Sequence, residues 1–108
     1  MRKRFVSTMR KGFQMTFANG MTASVQWGAG NYCDNHFPDD PEDFYCNKDA
    51  RSDTAEVAAI DSKGKFLEIG QFLPEDAFPD DVVCGWLSPE DVLYFLNKVS
   101  EYKPESEE

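Results

Sequence analysis

Histidine is nearly missing from this chain: His36 stands alone among 108 residues. Schemes that need two imidazoles, in acid–base catalysis or in a histidine metal centre, therefore have no material. Cysteine is scarce too, with Cys33, Cys46 and Cys84 only. An odd number at irregular spacing is a poor disulfide framework, and reduced thiols are the rule in the cytosol. No apolar run approaches the roughly 20 residues that span a bilayer. The basic N-terminus has no apolar stretch of signal-peptide type, because Thr8, Arg10 and Lys11 interrupt it. These absences predict a cytoplasmic protein without membrane association.

Positive charge is the other shortage, and it is unevenly placed. Residues 1–11 carry Arg2, Lys3, Arg4, Arg10 and Lys11 with no acid, whereas residues 12–108 hold all twenty Asp and Glu. The net charge of −9 thus joins a basic arm to a strongly acidic body. Such a field repels nucleic acid and anionic lipid and favours a basic protein surface. Five cations would make only a few phosphate contacts against that repulsion. The arm is better read as neutralising its own domain or pairing as an edge strand, with Phe5 and Val6 docked.

What is present is core material. Hydrophobics at 41% and aromatics at 14% support one folded domain over residues 12–103. Phe13, Met15, Phe17, Met21, Ala23, Val25 and Trp27 alternate with polar residues on both sides of Ala18-Asn19-Gly20. That is a hairpin with one buried face. A three-residue loop pairs Phe17 with Met21 and keeps every odd residue on that face, with Gly20 left-handed in a bulge. Residues 54–61 and 65–70 read as a second hairpin around Ser62-Lys63-Gly64, and residues 81–87 as a short further strand. Residues 37–53 form an acidic excursion, residues 71–81 a loop, and residues 104–108 an acidic tail.

Ser88 with Pro89, Glu90 and Asp91 opens a helix. Val92, Phe95, Leu96, Val99 and Tyr102 line its apolar stripe, widened by Leu93, and Pro104 stops it. The expected fold class is α+β: a sheet of about five mostly antiparallel strands, built from two hairpins, with one C-terminal helix on its apolar face.

Three constellations invite chemistry. Cys33, His36, Cys46 and Cys84 could make a tetrahedral zinc site, but no C-x2-C knuckle is present, and Cys84 lies in an apolar strand where a buried thiol is ordinary. Cys33 with His36 could be a nucleophile and base, but no orienting third residue or oxyanion motif accompanies them. Asp39, Asp40, Glu42 and Asp43 lack the order of a calcium loop. No cofactor, metal or catalytic residue is therefore expected. The glycines of Gly28-Ala29-Gly30 lead into no phosphate loop. They either present Asn31, Tyr32, Asp34 and Asn35 as a contact surface or close a turn whose amides satisfy their own backbone. Trp27, Tyr32 and Trp86 could instead wall a small-molecule pocket between sheet and loop.

The run Gly12-Phe13-Gln14-Met15-Thr16-Phe17-Ala18-Asn19-Gly20-Met21-Thr22-Ala23-Ser24-Val25-Gln26, the loop Gly30-Asn31-Tyr32-Cys33-Asp34-Asn35, then Ala55-Glu56-Val57-Ala58-Ala59 and Gly85-Trp86-Leu87-Ser88-Pro89-Glu90-Asp91-Val92 follow in order. Together they resemble a family of small tailed-bacteriophage and prophage proteins with no assigned function. The resemblance covers most of residues 12–100 and implies a phage origin and a life inside a bacterial cell. The expectation is a non-catalytic accessory protein that binds, and inhibits, a host or phage protein with a basic surface. Asn31, Tyr32, Asp34, Asn35, His36, Asp39 and Asp40 would form its contact surface. A zinc-stabilised module and a small-molecule-binding protein are the alternatives, and an exposed edge strand offers a route to a homodimer.

Overall fold

The computed structural model describes residues 4–37 and 49–104. Five strands form one antiparallel sheet in sequence order: β1 (Phe5–Ser7), β2 (Gly12–Thr16), β3 (Thr22–Gln26), β4 (Ala55–Ile60) and β5 (Cys84–Leu87). A 3-10 turn at Ile69–Phe72 and a helix, α1 (Pro89–Glu101), complete the domain. This is the α+β arrangement expected, with the helix packed on the apolar sheet face.

The first hairpin has the register that its buried face demands. Phe13 pairs with Val25 and Met15 with Ala23, and Phe17 N–H donates to Met21 O at 2.8 Å. Gly20 N–H closes the turn on Phe17 O, with φ at +87°. Met21, Ala23 and Val25 are buried, as are Val57, Ala59, Cys84 and Leu87 from the neighbouring strands. Phe95 and Val99 of α1 cover them, with Ile69, Phe72 and Leu73 closing one side. Phe72 meets Phe95 and Tyr102 edge-on at 6.5 and 5.4 Å between ring centroids.

The opposite face of β3 departs from simple alternation. Thr22 and Ser24 are also buried, because short side chains on a central strand are shaded by β2 and β4. Their hydroxyls are satisfied: Thr22 shares a hydrogen bond of 2.8 Å with Thr16 across the β2–β3 pair, and Ser24 accepts from Gln26 Nε2 on its own strand.

Three expectations need correction. Beyond Ser62-Lys63-Gly64 the chain pairs at Asp61–Lys65 and bridges Ile60 to Phe66, then leaves the sheet for the 3-10 turn. The place beside β4 belongs to β5. The basic arm supplies β1, yet Phe5 remains 76% exposed; this strand joins through its backbone without docking its side chains. Leu93, expected to widen the helix stripe, is 60% exposed and faces away from the core.

The helix is fastened at both ends. Ser88 Oγ accepts from Asp91 N–H at 3.2 Å, and Pro89 takes the first helical position. At the other end Asn19, from the tip of the first hairpin, donates through Nδ2 to the carbonyls of Val99, Ser100 and Tyr102. Its Oδ1 accepts from Met21 N–H at 2.9 Å. One amide thus holds the turn and caps a helix some eighty residues away.

Asn19→Asp keeps the acceptor but removes the donor and sets a negative charge against the helix's negative end. We expect a loss of about 1–2 kcal/mol in urea unfolding at pH 7. Helix carbonyls raise the pKa of the introduced carboxyl, so its protonation near pH 4 should restore part of the loss. Equal destabilisation at both pH values would contradict the cap.

Candidate functional site

The loop after β3 is a set of tight turns locked to its surroundings. Asn31 N–H bonds Gly28 O, Cys33 N–H bonds Asn31 O, and His36 N–H bonds Cys33 O. The polar side chains expected as contact residues divide into two groups here. Asn31 accepts from Gly28 N–H and donates to Glu56 Oε1 at 3.1 Å. Asn35 donates to the carbonyls of Trp27 and Arg51. Asp34 accepts the Thr54 hydroxyl at 2.8 Å while its own N–H bonds that oxygen. These three fasten the loop to its neighbours, reaching Glu56, Arg51 and Thr54 as well as backbone at Trp27 and Gly28.

Tyr32 and His36 have the other fate. Their rings stack at 5.2 Å, and Tyr32 stacks on Trp86 of β5 at 5.9 Å, 24° from parallel. His36 also meets the edge of Phe37 at 4.4 Å. His36 Nδ1 lies 2.8 Å from Asn31 O; a carbonyl only accepts, so Nδ1 carries the proton and Nε2 is the acceptor of the neutral ring. Although the rings touch one another, much of their surface faces solvent: Tyr32 is 40% exposed, Trp86 55% and Phe37 84%. The result is an aromatic platform.

A bulge in β5 builds this platform. Ala55 pairs with Leu87 and Val57 with Cys84, so Gly85 and Trp86 together oppose Glu56. Trp86 takes φ of +53°, a region that bulky residues avoid, at a cost of about 1–2 kcal/mol. Its N–H donates to Tyr32 O at 2.8 Å, which ties the loop to the strand. Gly85 is required by the same approach, since a Cβ there would overlap Tyr32 Cβ and its carbonyl group. The sequence offers Trp86 only as a pocket wall, because no alternation pattern marks a bulge.

Trp27 lies elsewhere. Its indole N–H donates to Ala50 O at 3.0 Å, its ring meets Phe13 edge-on, and it lines an apolar pocket of about 230 Å³ with Phe13, Val25, Leu87 and Val92. Tyr32 and Trp86 do not line that pocket, so the three aromatics expected to wall one cavity are divided between two places.

Among the described residues no three His, Cys, Asp or Glu side chains gather closely enough to hold a metal ion. Cys33 Sγ donates to Gly28 O and Cys84 Sγ to Phe78 O. Neither thiol joins His36, so the nucleophile–base pairing does not form. Cys46, Asp39 and Asp40 lie outside the described residues. Burial pushes both described thiols above their ordinary range, with Asp34 and Glu56 adding to the effect at Cys33 and Asp91 at Cys84. A raised thiol pKa contributes stability below the unfolded value of about 8.5, lost as pH rises through the folded value. Iodoacetamide at pH 8 should therefore spare Cys33 and Cys84 in native protein and modify both in urea, as read by peptide mass mapping. Native labelling at the unfolded rate would contradict their burial.

Among the described residues no helix is long and apolar enough to cross a membrane. Set against protein-family models, curated proteins and solved structures, the chain finds no match.

Proposed function

We propose that this is a non-catalytic binding module of phage type that captures, and inhibits, a bacterial host or phage protein through the Tyr32–His36–Trp86 platform. The observation that carries this reading is Trp86 itself. An indole held at positive φ and left half in water costs stability twice, through backbone strain and through exposed apolar surface. Strain of this kind gathers where a structure is used. Exposed Trp and Tyr on a rigid support are also the side chains that dominate protein interfaces.

The body's charge selects the partner. Asp34 is exposed beside the platform, Glu56 opposes Trp86 across the bulge, and the chain carries −9 overall. A basic protein surface fits this field, and a nucleic-acid backbone is repelled by it. The contact set proposed is therefore Tyr32, His36, Phe37 and Trp86, with Asp34 at the rim and Asn31 and Asn35 holding the loop.

Affinity capture from a bacterial lysate tests this directly. Trp86→Ala should cut recovery of the specific partner at least about 30-fold, the effect of losing a hot spot worth 2 kcal/mol. Undiminished recovery by the folded variant would refute the platform.

A further inference from the structure

Resting on that reading, we infer that the group seated on the platform is an arginine side chain of the partner. The guanidinium is a flat cation that stacks on aromatic faces and forks its N–H donors onto carboxylates in its own plane. Both halves of that recognition stand together here. Tyr32, His36 and Trp86 supply ring faces, with Tyr32 within 28° of parallel to each of the other two. Glu56 lies opposite Gly85 and Trp86 in the bulge and is bonded to the residue preceding Tyr32. Asp34 follows two residues after Tyr32 and is bonded to the Thr54 hydroxyl, two residues before Glu56, which sets both carboxylates where the loop meets the start of β4.

Among the described residues each carboxylate is oriented by one neutral donor, Asn31 Nδ2 for Glu56 and the Thr54 hydroxyl for Asp34. A carboxylate offers about four lone-pair sites, so both retain acceptor capacity for a cation. Arg51, whose carbonyl holds Asn35, lies five residues before Glu56.

Lysine fits less well. Its ammonium is strongly hydrated, has no planar face to stack and cannot fork. Nucleobases would also stack on such rings, but a strand brings phosphates into a field of the same sign.

The test is a titration of the intact protein followed by NMR, reading the Trp86 indole N–H and the amides of residues 32–37. The probes are a capped Gly-Arg-Gly peptide, its Gly-Lys-Gly counterpart and a short oligothymidylate. The arginine peptide should shift these signals with half-saturation at least about fivefold lower than the lysine peptide. Asp34→Asn combined with Glu56→Gln, which preserves both internal hydrogen bonds, should weaken the arginine response at least about fivefold. Equal responses to arginine and lysine, a response to the oligonucleotide alone, or no response at all would each overturn the assignment. If lysate capture still depends on Trp86 in any of those cases, the platform reading stands and only arginine falls.

Discussion

Phe95→Ala is expected to remove about 3–5 kcal/mol of unfolding free energy, while Leu93→Ala, two residues earlier, changes it by less than about 0.5 kcal/mol. Phe95 is fully buried and meets Phe72 edge-on, so its loss leaves a void bounded by a second ring and the sheet. Leu93 lies on the same helix but faces water. For a domain whose total stability is on the order of 5–15 kcal/mol, the first change is severe. Urea unfolding followed by far-ultraviolet circular dichroism measures both. Similar losses at the two positions would mean that α1 is rotated about its axis relative to the sheet.

The helix shows which parts of this fold were readable. Its N-cap, its stop and all five of its stripe residues were visible as spacing and turn chemistry, which act locally. Leu93 was not, because the width of a buried stripe depends on what covers it. The first hairpin was legible to the residue, since one slip in register would expose Met21, Ala23 and Val25 together. The segment after Gly64 was not. Leu67 and Ile69 continue a period of two, but Ile69 and Phe72 are spaced for a tight helical turn and both are buried.

The platform was legible only in part. A glycine- and asparagine-rich loop signals a turn, and Tyr32 and His36 within it were available as contact residues. That Asn31, Asn35 and Asp34 are spent on internal bonds depends on partners at Glu56, Arg51 and Thr54, some 16–25 residues away. The sequence offers Trp86 as a pocket wall with Trp27 and Tyr32, whereas the structure leaves it half exposed between buried Cys84 and Leu87. The bulge that turns it outward is a property of two paired strands, and one strand's sequence does not carry it.

Gly85→Ala should have the second large effect. The added methyl would overlap both the side chain and the carbonyl of Tyr32, and backbone at such a contact cannot step aside cheaply. Overpacking of this kind costs about 1–3 kcal/mol. Losing the Trp86 N–H to Tyr32 O bond adds about 1 kcal/mol. Beyond stability, the loop should lift from β5 and separate Tyr32 from Trp86. Partner capture should then fall as far as it does for Trp86→Ala, although both rings are still present. A crystal structure of the variant with the stack intact would contradict this account of the bulge.

The central claim is that Trp86 is kept for binding at the expense of the fold. Trp86→Gly isolates it, because glycine accepts φ of +53° freely and carries no ring. Chemical denaturation of Trp86→Gly, Trp86→Ala and the wild type, run beside capture from the same lysate, is the direct measurement. The glycine variant should lie within about 1 kcal/mol of wild type, because relief of strain offsets the lost stack, and should be the more stable of the two variants by about 1 kcal/mol. Both should lose the partner. A glycine variant destabilised by 3 kcal/mol or more, in the manner of a core tryptophan, or one that still captures the partner, would contradict it.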